Sequence, residues 1–178
     1  MTAPSAPVPG RPEAAAGTAP TGRPEASEPS GASEPSGSSG PCDTTVAWVN
    51  DAGAETLAGR MGMVFLEATA ERVVATMPVS GNTQLQGLLH GGASTAFAES
   101  LGSLGAALHA GEGRIALGVD LNATHHRAVR SGTVTGVATA LHLGHSSASY
   151  EVVITDEAGR RVCTARITCA VHGRRRRR

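Results

Sequence analysis

Gly87-Leu88-Leu89-His90-Gly91-Gly92-Ala93-Ser94-Thr95-Ala96-Phe97-Ala98-Glu99-Ser100-Leu101-Gly102-Ser103-Leu104-Gly105-Ala106-Ala107-Leu108-His109 is the stretch whose reading decides the fold. From Ala93 to His109 the only turn residues are isolated glycines, and Ala93, Phe97, Ser100, Leu101, Leu104 and Leu108 recur at helical spacing. Gly92, Thr95, Ala96, Glu99, Gly102, Ser103 and Ala106 form a second face of small residues. The spacing predicts one long helix, opened by the glycine pair and buried through its leucine-bearing face.

Downstream the period changes to two. Ile115 to His125, Gly132 to His142, Ser147 to Thr155 and Arg161 to Val171 read as strands, with Arg130-Ser131-Gly132 and Asp156-Glu157-Ala158-Gly159 as hairpin turns by composition. Upstream, Thr45 to Gly59 reads as a short helix or loop. Arg60 to Pro78 reads as two strands meeting near Ala70-Glu71, with Met61, Met63 and Phe65 alternating in the first. Strands, one long helix and then four closely spaced strands predict an α+β domain, an antiparallel sheet packed on a single helix.

The remaining composition bounds the rest. Residues 1–42 hold nine of the ten prolines and, beyond Val8, no Val, Ile, Leu or aromatic residue, so they cannot bury enough apolar surface to offset ordering and are expected to be a disordered tail. The domain spans 43–173, and 174–178 is a run of five arginines. The formal charge balances at fifteen against fifteen, but without that run the chain is acidic. No aromatic platform or second basic stripe accompanies the run, so nucleic acid is not an expected partner. The N-terminus shows no cationic segment followed by an apolar stretch, so no signal or transit peptide is expected, and no run approaches the length of a membrane span, so a membrane partner is not expected either. Cys42, Cys163 and Cys169 are an odd set, and the last two lie too far apart along one strand to bridge. A reducing cytoplasm is the expected setting.

Glu99 is the only charged residue between Gly91 and Gly111. A carboxylate on a helix expected to be buried by its sheet is costly to desolvate unless it is paired or used. His90 stands where the chain enters the helix, and the backbone N–H groups of Gly91 and Gly92 lie at a terminus carrying partial positive charge, a natural place for a developing oxyanion. Nine residues at about 100° each place Glu99 on the opposite side of the helix from His90 and about 13 Å further along it. If both serve one site, they come from different subunits.

Gln84-Leu85-Gln86-Gly87-Leu88-Leu89-His90-Gly91-Gly92-Ala93-Ser94 followed by Ala98-Glu99-Ser100-Leu101-Gly102-Ser103 resembles the hotdog thioesterases of the phenylacetate-pathway type. The resemblance is closest to the branch that includes dihydroxynaphthoyl-CoA hydrolase and the enterobactin proofreading thioesterase. It continues through Gly118-Val119-Asp120-Leu121-Asn122-Ala123-Thr124-His125, Arg130-Ser131-Gly132 and Leu141-His142-Leu143-Gly144. It implies a hotdog fold, a long central helix wrapped by a curved antiparallel sheet. It also implies hydrolysis of an acyl-CoA or acyl carrier protein thioester without metal or other cofactor, in a homodimer or homotetramer with active sites shared between subunits.

Carried over by position, Glu99 is the nucleophile or general base. The Gly91 N–H polarises the thioester carbonyl, Gln84 and His90 orient the thioester or the attacking water, and Ser103 assists from one turn along the helix. Gly92 and Ser100 fall at substrate-contacting positions, and His125, His142, Gly144, His145 and Ser146 fall where the family touches the pantetheine or nucleotide of CoA. Arg127 is a further candidate for a CoA phosphate, because a guanidinium offers a forked contact. The branch often has Pro-Phe where this chain has Leu85-Gln86, and this chain is poor in aromatic residues, so the acyl group, aryl or other, stays open. Two other readings compete with hydrolysis: a non-catalytic acyl-CoA sensor or carrier on the same fold, and a hotdog dehydratase, which needs a histidine paired with an acid.

Overall fold

The computed structural model describes residues 41–173; the proline-rich segment through residue 40 and the arginine run 174–178 lie outside the described residues. Helix α1 (Pro41–Gly53), which begins inside the segment assigned to the tail, leads into a single turn, α2 (Leu57–Arg60). Strands β1 (Val64–Ala68) and β2 (Arg72–Pro78) follow, then helix α3 (Gly91–Ala110), then β3 (Arg114–His125), β4 (Thr133–Leu143), β5 (Ser147–Thr155) and β6 (Arg161–Gly173). The strands form one fully antiparallel sheet in the order β1-β2-β4-β5-β6-β3, curved around α3. This is the α+β arrangement the residue pattern predicts and the hotdog fold the resemblance implies.

Local bounds agree closely for the long elements and less well for the first strand. Met61 stands outside β1 because it ends α2, and Gly62, at φ +69°, turns the chain before the strand begins. The Asp156 to Gly159 turn does join paired strands, β5 and β6. Arg130-Ser131-Gly132 does not make a hairpin: β3 pairs with β6 at the far edge and β4 with β2 and β5, so these residues end a crossover. A turn composition reports that the chain bends, and carries no information about which strand it then joins.

The buried face of α3 also differs from expectation. Ser94, Phe97, Ala98, Leu101, Gly102, Gly105, Ala106 and Ala110 face the sheet, and Leu104 and Leu108 are only half-buried. The cause lies in the sheet, whose large side chains occupy the space that the helix leaves empty. A Cβ on Gly102 would overlap Ile167 Cγ2, and one on Gly105 would sit 2.8 Å from the ring of Tyr150. Phe97 packs in the reverse sense, its ring on Gly136 of β4. Tyr150 is fully buried, and its hydroxyl donates to Ala70 O at 2.7 Å in the β1–β2 turn. Cys163 and Cys169 are free and buried on β6, as their spacing requires.

Candidate active site

Residues 79–90 form a knitted loop that delivers the chain to α3. Gln84 N donates to Leu88 O (2.8 Å), His90 N to Asn82 O (2.9 Å), and Leu89 N reaches Val129 O (2.7 Å) in the β3–β4 crossover. Asn82 anchors the loop with its amide on Met61 O and Pro78 O. His90 is the N-cap of α3, extended at φ −69°, ψ 133°, and its Nδ1 accepts the Gly92 N–H at 2.8 Å. That bond requires Nδ1 to be unprotonated, so in neutral His90 the proton sits on Nε2 and is free to donate outward. It also takes Gly92 out of the expected set of open donors. The Gly91 N–H, by contrast, donates to no acceptor among the described residues and remains open at the positive end of the helix.

Beside that N–H lies a cleft of about 380 Å³ lined by Gln84, Gly91, Ser94, His125, His126 and Arg127, with Leu88, Leu89 and Val162 as its apolar wall. The His125 ring stands over Gly91, with Nε2 3.0 Å from the position a Cβ there would take. Four expected residues thus meet here: Gln84, Gly91, His125 and Arg127. Ser94 and His126 are additional; Ser94 is buried, four residues after His90, a spacing that puts it on the same helical face as the cap. His90 itself is exposed at the mouth of the helix.

Glu99 is elsewhere. It borders a separate hollow of about 180 Å³ with Gly118, Val119, Asp120, Leu121 and Ile167. Its Oε1 lies 3.2 Å, and Ser103 Oγ 3.9 Å, from the point where a Cβ on Gly118 would stand, so both helix side chains converge on β3 at a β-bulge between Gly118 and Asp120. Beneath them Cys169, the Cα partner of Gly118, is fully buried. Burial pushes its thiol up, the Glu99 charge acts in the same sense, and a hydrogen bond from Ser103 opposes both. The expectation of a Glu99 buried by the sheet is overturned: the residue is exposed, because it sits on the flank of α3 over an edge strand that no further strand covers. Ser100 is half-buried and turns its hydroxyl back onto Ala96 O (2.8 Å).

The residues expected to contact CoA divide between the two ends of α3, a helix about 30 Å long. His125 and Arg127 stand at its start. His142, Gly144, His145 and Ser146 lie near its end, where His109 Nε2 meets Gly144 O at 2.8 Å. Gly144 leaves room for the His142 ring, and His142, His145 and Ser146 are exposed. Among the described residues no group of three or more His, Cys, Asp and Glu side chains is gathered for a metal ion, and no helix is long and apolar enough to cross a membrane.

The site thus presents an open helix N-terminus and, apart from it, a carboxylate over a glycine of the edge strand; comparison with known proteins gives the family. A family model described as the thioesterase superfamily matches residues 86–163. The chain belongs to the thioesterase superfamily and is a thioester hydrolase. Among its relatives, the proofreading thioesterase EntH of Klebsiella pneumoniae is 46% identical over 132 residues, spanning 74% of this chain and 96% of that protein. The protein of the same name from Cronobacter sakazakii is 44% identical over 130 residues, spanning 72% and 95%. A solved thioesterase of Haemophilus influenzae superposes with a TM-score of 0.70 at 34% identity, covering 74% of this chain and 92% of that one. A mutant thioesterase of Pseudomonas aeruginosa gives 0.69 at 36%, covering 72% and 94%.

Proposed function

We propose that the chain hydrolyses an acyl-CoA thioester, or its acyl carrier protein counterpart, at a site built from two copies. One copy supplies the Gly91 N–H, Gln84, His90 and the cleft beside them; the other supplies Glu99 and Ser103. The observation that carries this reading is the separation of the two halves. Within one chain, Gln84 and Gly91 line one cleft and Glu99 another, and Glu99 is exposed beside an unpaired edge strand.

A second copy laid along β3 desolvates the Glu99 hollow. The thioester oxygen then sits at the Gly91 N–H, where negative charge accumulates as the carbonyl carbon is attacked. Glu99 takes a proton from water while the water oxygen bonds to that carbon, the C–S bond breaks, and the leaving thiolate is protonated to give free acid and thiol. Direct attack by Glu99 through a mixed anhydride gives the same products after hydrolysis. His90, its Nε2–H directed outward by the Gly92 bond, orients the carbonyl or the water, as does Gln84. His125, Arg127, His142, Gly144, His145 and Ser146 are assigned to the carrier, and Ser100 and Gly92 to the rim. A dimer, or a tetramer of two dimers, is the working assembly.

The two free buried thiols suit a reducing cytoplasm. Residues 43–173 are read as the enzyme, with 1–42 and 174–178 as appendages.

Thiol release from a panel of aliphatic and aryl acyl-CoA esters tests the reading. Glu99→Gln is expected to lower kcat by about 10²- to 10⁴-fold, the scale of a lost acid–base group. Absence of thiol release across the panel, or wild-type turnover in Glu99→Gln, overturns it. Single turnover in oxygen-18 water separates the two routes, since only the anhydride places label in Glu99.

A further inference from the structure

Helix α3 ends at Ala110; the Gly111 N–H caps Ala107 O at 3.2 Å, and the carbonyls of His109 and Ala110 are met by a side chain instead. Arg114, the first residue of β3, turns back to them: Nε donates to Ala110 O at 2.7 Å and Nη2 to His109 O at 3.4 Å. The same guanidinium reaches across with Nη1 to His145 O at 3.2 Å. His109, in the last turn, meets Gly144 O at 2.8 Å through Nε2, and because a carbonyl can only accept, Nε2 carries the proton. The short connection between β4 and β5 is therefore held by two consecutive carbonyls against the end of the helix. Its Gly144 N–H closes it internally on Ser147 O at 2.8 Å. With these carbonyls turned inward, the exposed side chains of His145 and Ser146 are the groups the connection offers to solvent, beside the exposed His142 at the end of β4.

We propose that His109 and Arg114 are positioning residues for carrier binding: they hold the Gly144–Ser146 connection in the conformation that meets the pantetheine or nucleotide of the substrate. The inference rests on the reading above that this connection contacts the carrier. Neither residue belongs to the catalytic or carrier-contacting set, and both act through the backbone of residues that do. Ser146 O stays bonded to the Val171 N–H at 2.9 Å in any case, so what the two residues fix is the Gly144 and His145 peptides. Without them these peptides must be ordered at the moment of binding, and that cost appears in KM while the chemical step, at the other end of α3, is unaffected.

The experiment compares an acyl-CoA ester with the same acyl group on N-acetylcysteamine, which lacks the nucleotide and most of the pantetheine arm. His109→Ala and Arg114→Ala are expected to raise KM for the CoA ester about three- to tenfold, the equivalent of one or two hydrogen bonds, with kcat nearly unchanged and the short thioester handled as by wild type. His109→Gln, whose amide can still donate to Gly144 O, is expected to recover most of the loss. Should Arg114→Ala fail to fold, Arg114→Lys keeps a cation at the helix end but lacks the fork that bridges to His145 O, and is expected to give the same split. Equal losses on both substrates, a fall in kcat alone, or a His109→Gln variant no better than His109→Ala overturns the proposal. A wild-type preference for the CoA ester that survives in the variants overturns it alone. A wild-type protein with no such preference overturns the carrier reading beneath it as well.

Discussion

The two edges of the sheet are treated in opposite ways. At one, β1 is five residues long and lies under α1, and the side chain of Asn50 acts as a substitute strand: its Nδ2 donates to Phe65 O at 3.0 Å and its Oδ1 accepts the Phe65 N–H at 2.9 Å. At the other, β3 is twelve residues long and has no buried residue, with Ile115 41%, Leu117 54% and Val119 64% exposed. Long, apolar, unpaired edges invite another strand, and proteins ordinarily blunt them as β1 is blunted. The edge left open is the one over which Glu99 stands. Closure within the chain at β1 and an open apolar edge at β3 are the contrast on which the proposed two-copy site rests.

The largest effect is expected from blunting the open edge. On the shared-site reading, under which a separated copy holds half a site, Leu117→Lys, with Ile115→Lys added if needed, should reduce the sedimenting mass to that of one chain and lower turnover about 10²-fold or more. The converse sharpens the same point: chains carrying Glu99→Ala and chains carrying Gln84→Ala, each inactive alone, should recover about a quarter of wild-type activity when refolded together, because mixed dimers contain one intact site. No recovery in mixtures shown to exchange subunits would place both halves of the site in one chain. At the closed edge, Asn50→Ala should cost about 1–3 kcal/mol in urea unfolding by leaving Phe65 without its partners, with turnover per folded chain unchanged. The smallest effect is expected away from both edges, in the β5–β6 turn. Burial there opposes ionisation of Asp156, yet bonds from the Arg160 backbone and side chain, the Arg160 charge and the Ala158 N–H outweigh it and hold the carboxyl below its ordinary value. The stability this supplies is present at neutral pH and is lost as pH falls from the ordinary carboxylate range through the lowered value. Asp156→Asn should flatten that acid limb of the melting curve and leave the assembly intact.

The elements that make this contrast were legible in the sequence, though their order in the sheet was not. The helical run from Ala93 to His109 and the period-two strands from Ile115 onward locate the helix and the later strands without coordinates, and the nine-residue offset of Glu99 from His90 raises the shared-site reading. Sheet order was not legible, because the composition of Arg130-Ser131-Gly132 is the same whether the chain folds back on β3 or crosses to another part of the sheet. The exposure of Glu99 follows from that order and was missed with it. The sheet-facing side of α3 was hidden for a different reason: its shape is complementary to Tyr150 and Ile167, and a hydrophobic period counts leucines rather than the absence of side chains. The roles of His109 and Arg114 escaped notice because both bind backbone carbonyls, which no residue pattern announces.

Gly102 and Gly105, described above as room for Ile167 and Tyr150, have a further consequence. A helix seated on two such notches is indexed: a shift of one residue would drive Ser103 and Ala106 in one sense, or Leu101 and Leu104 in the other, toward groups that admit no side chain. Glu99 stands three positions before the first notch, so its distance along β3 is set by the same detents. On the shared-site reading, the accuracy with which one chain presents its carboxylate to another is then fixed inside the first chain, before the two meet.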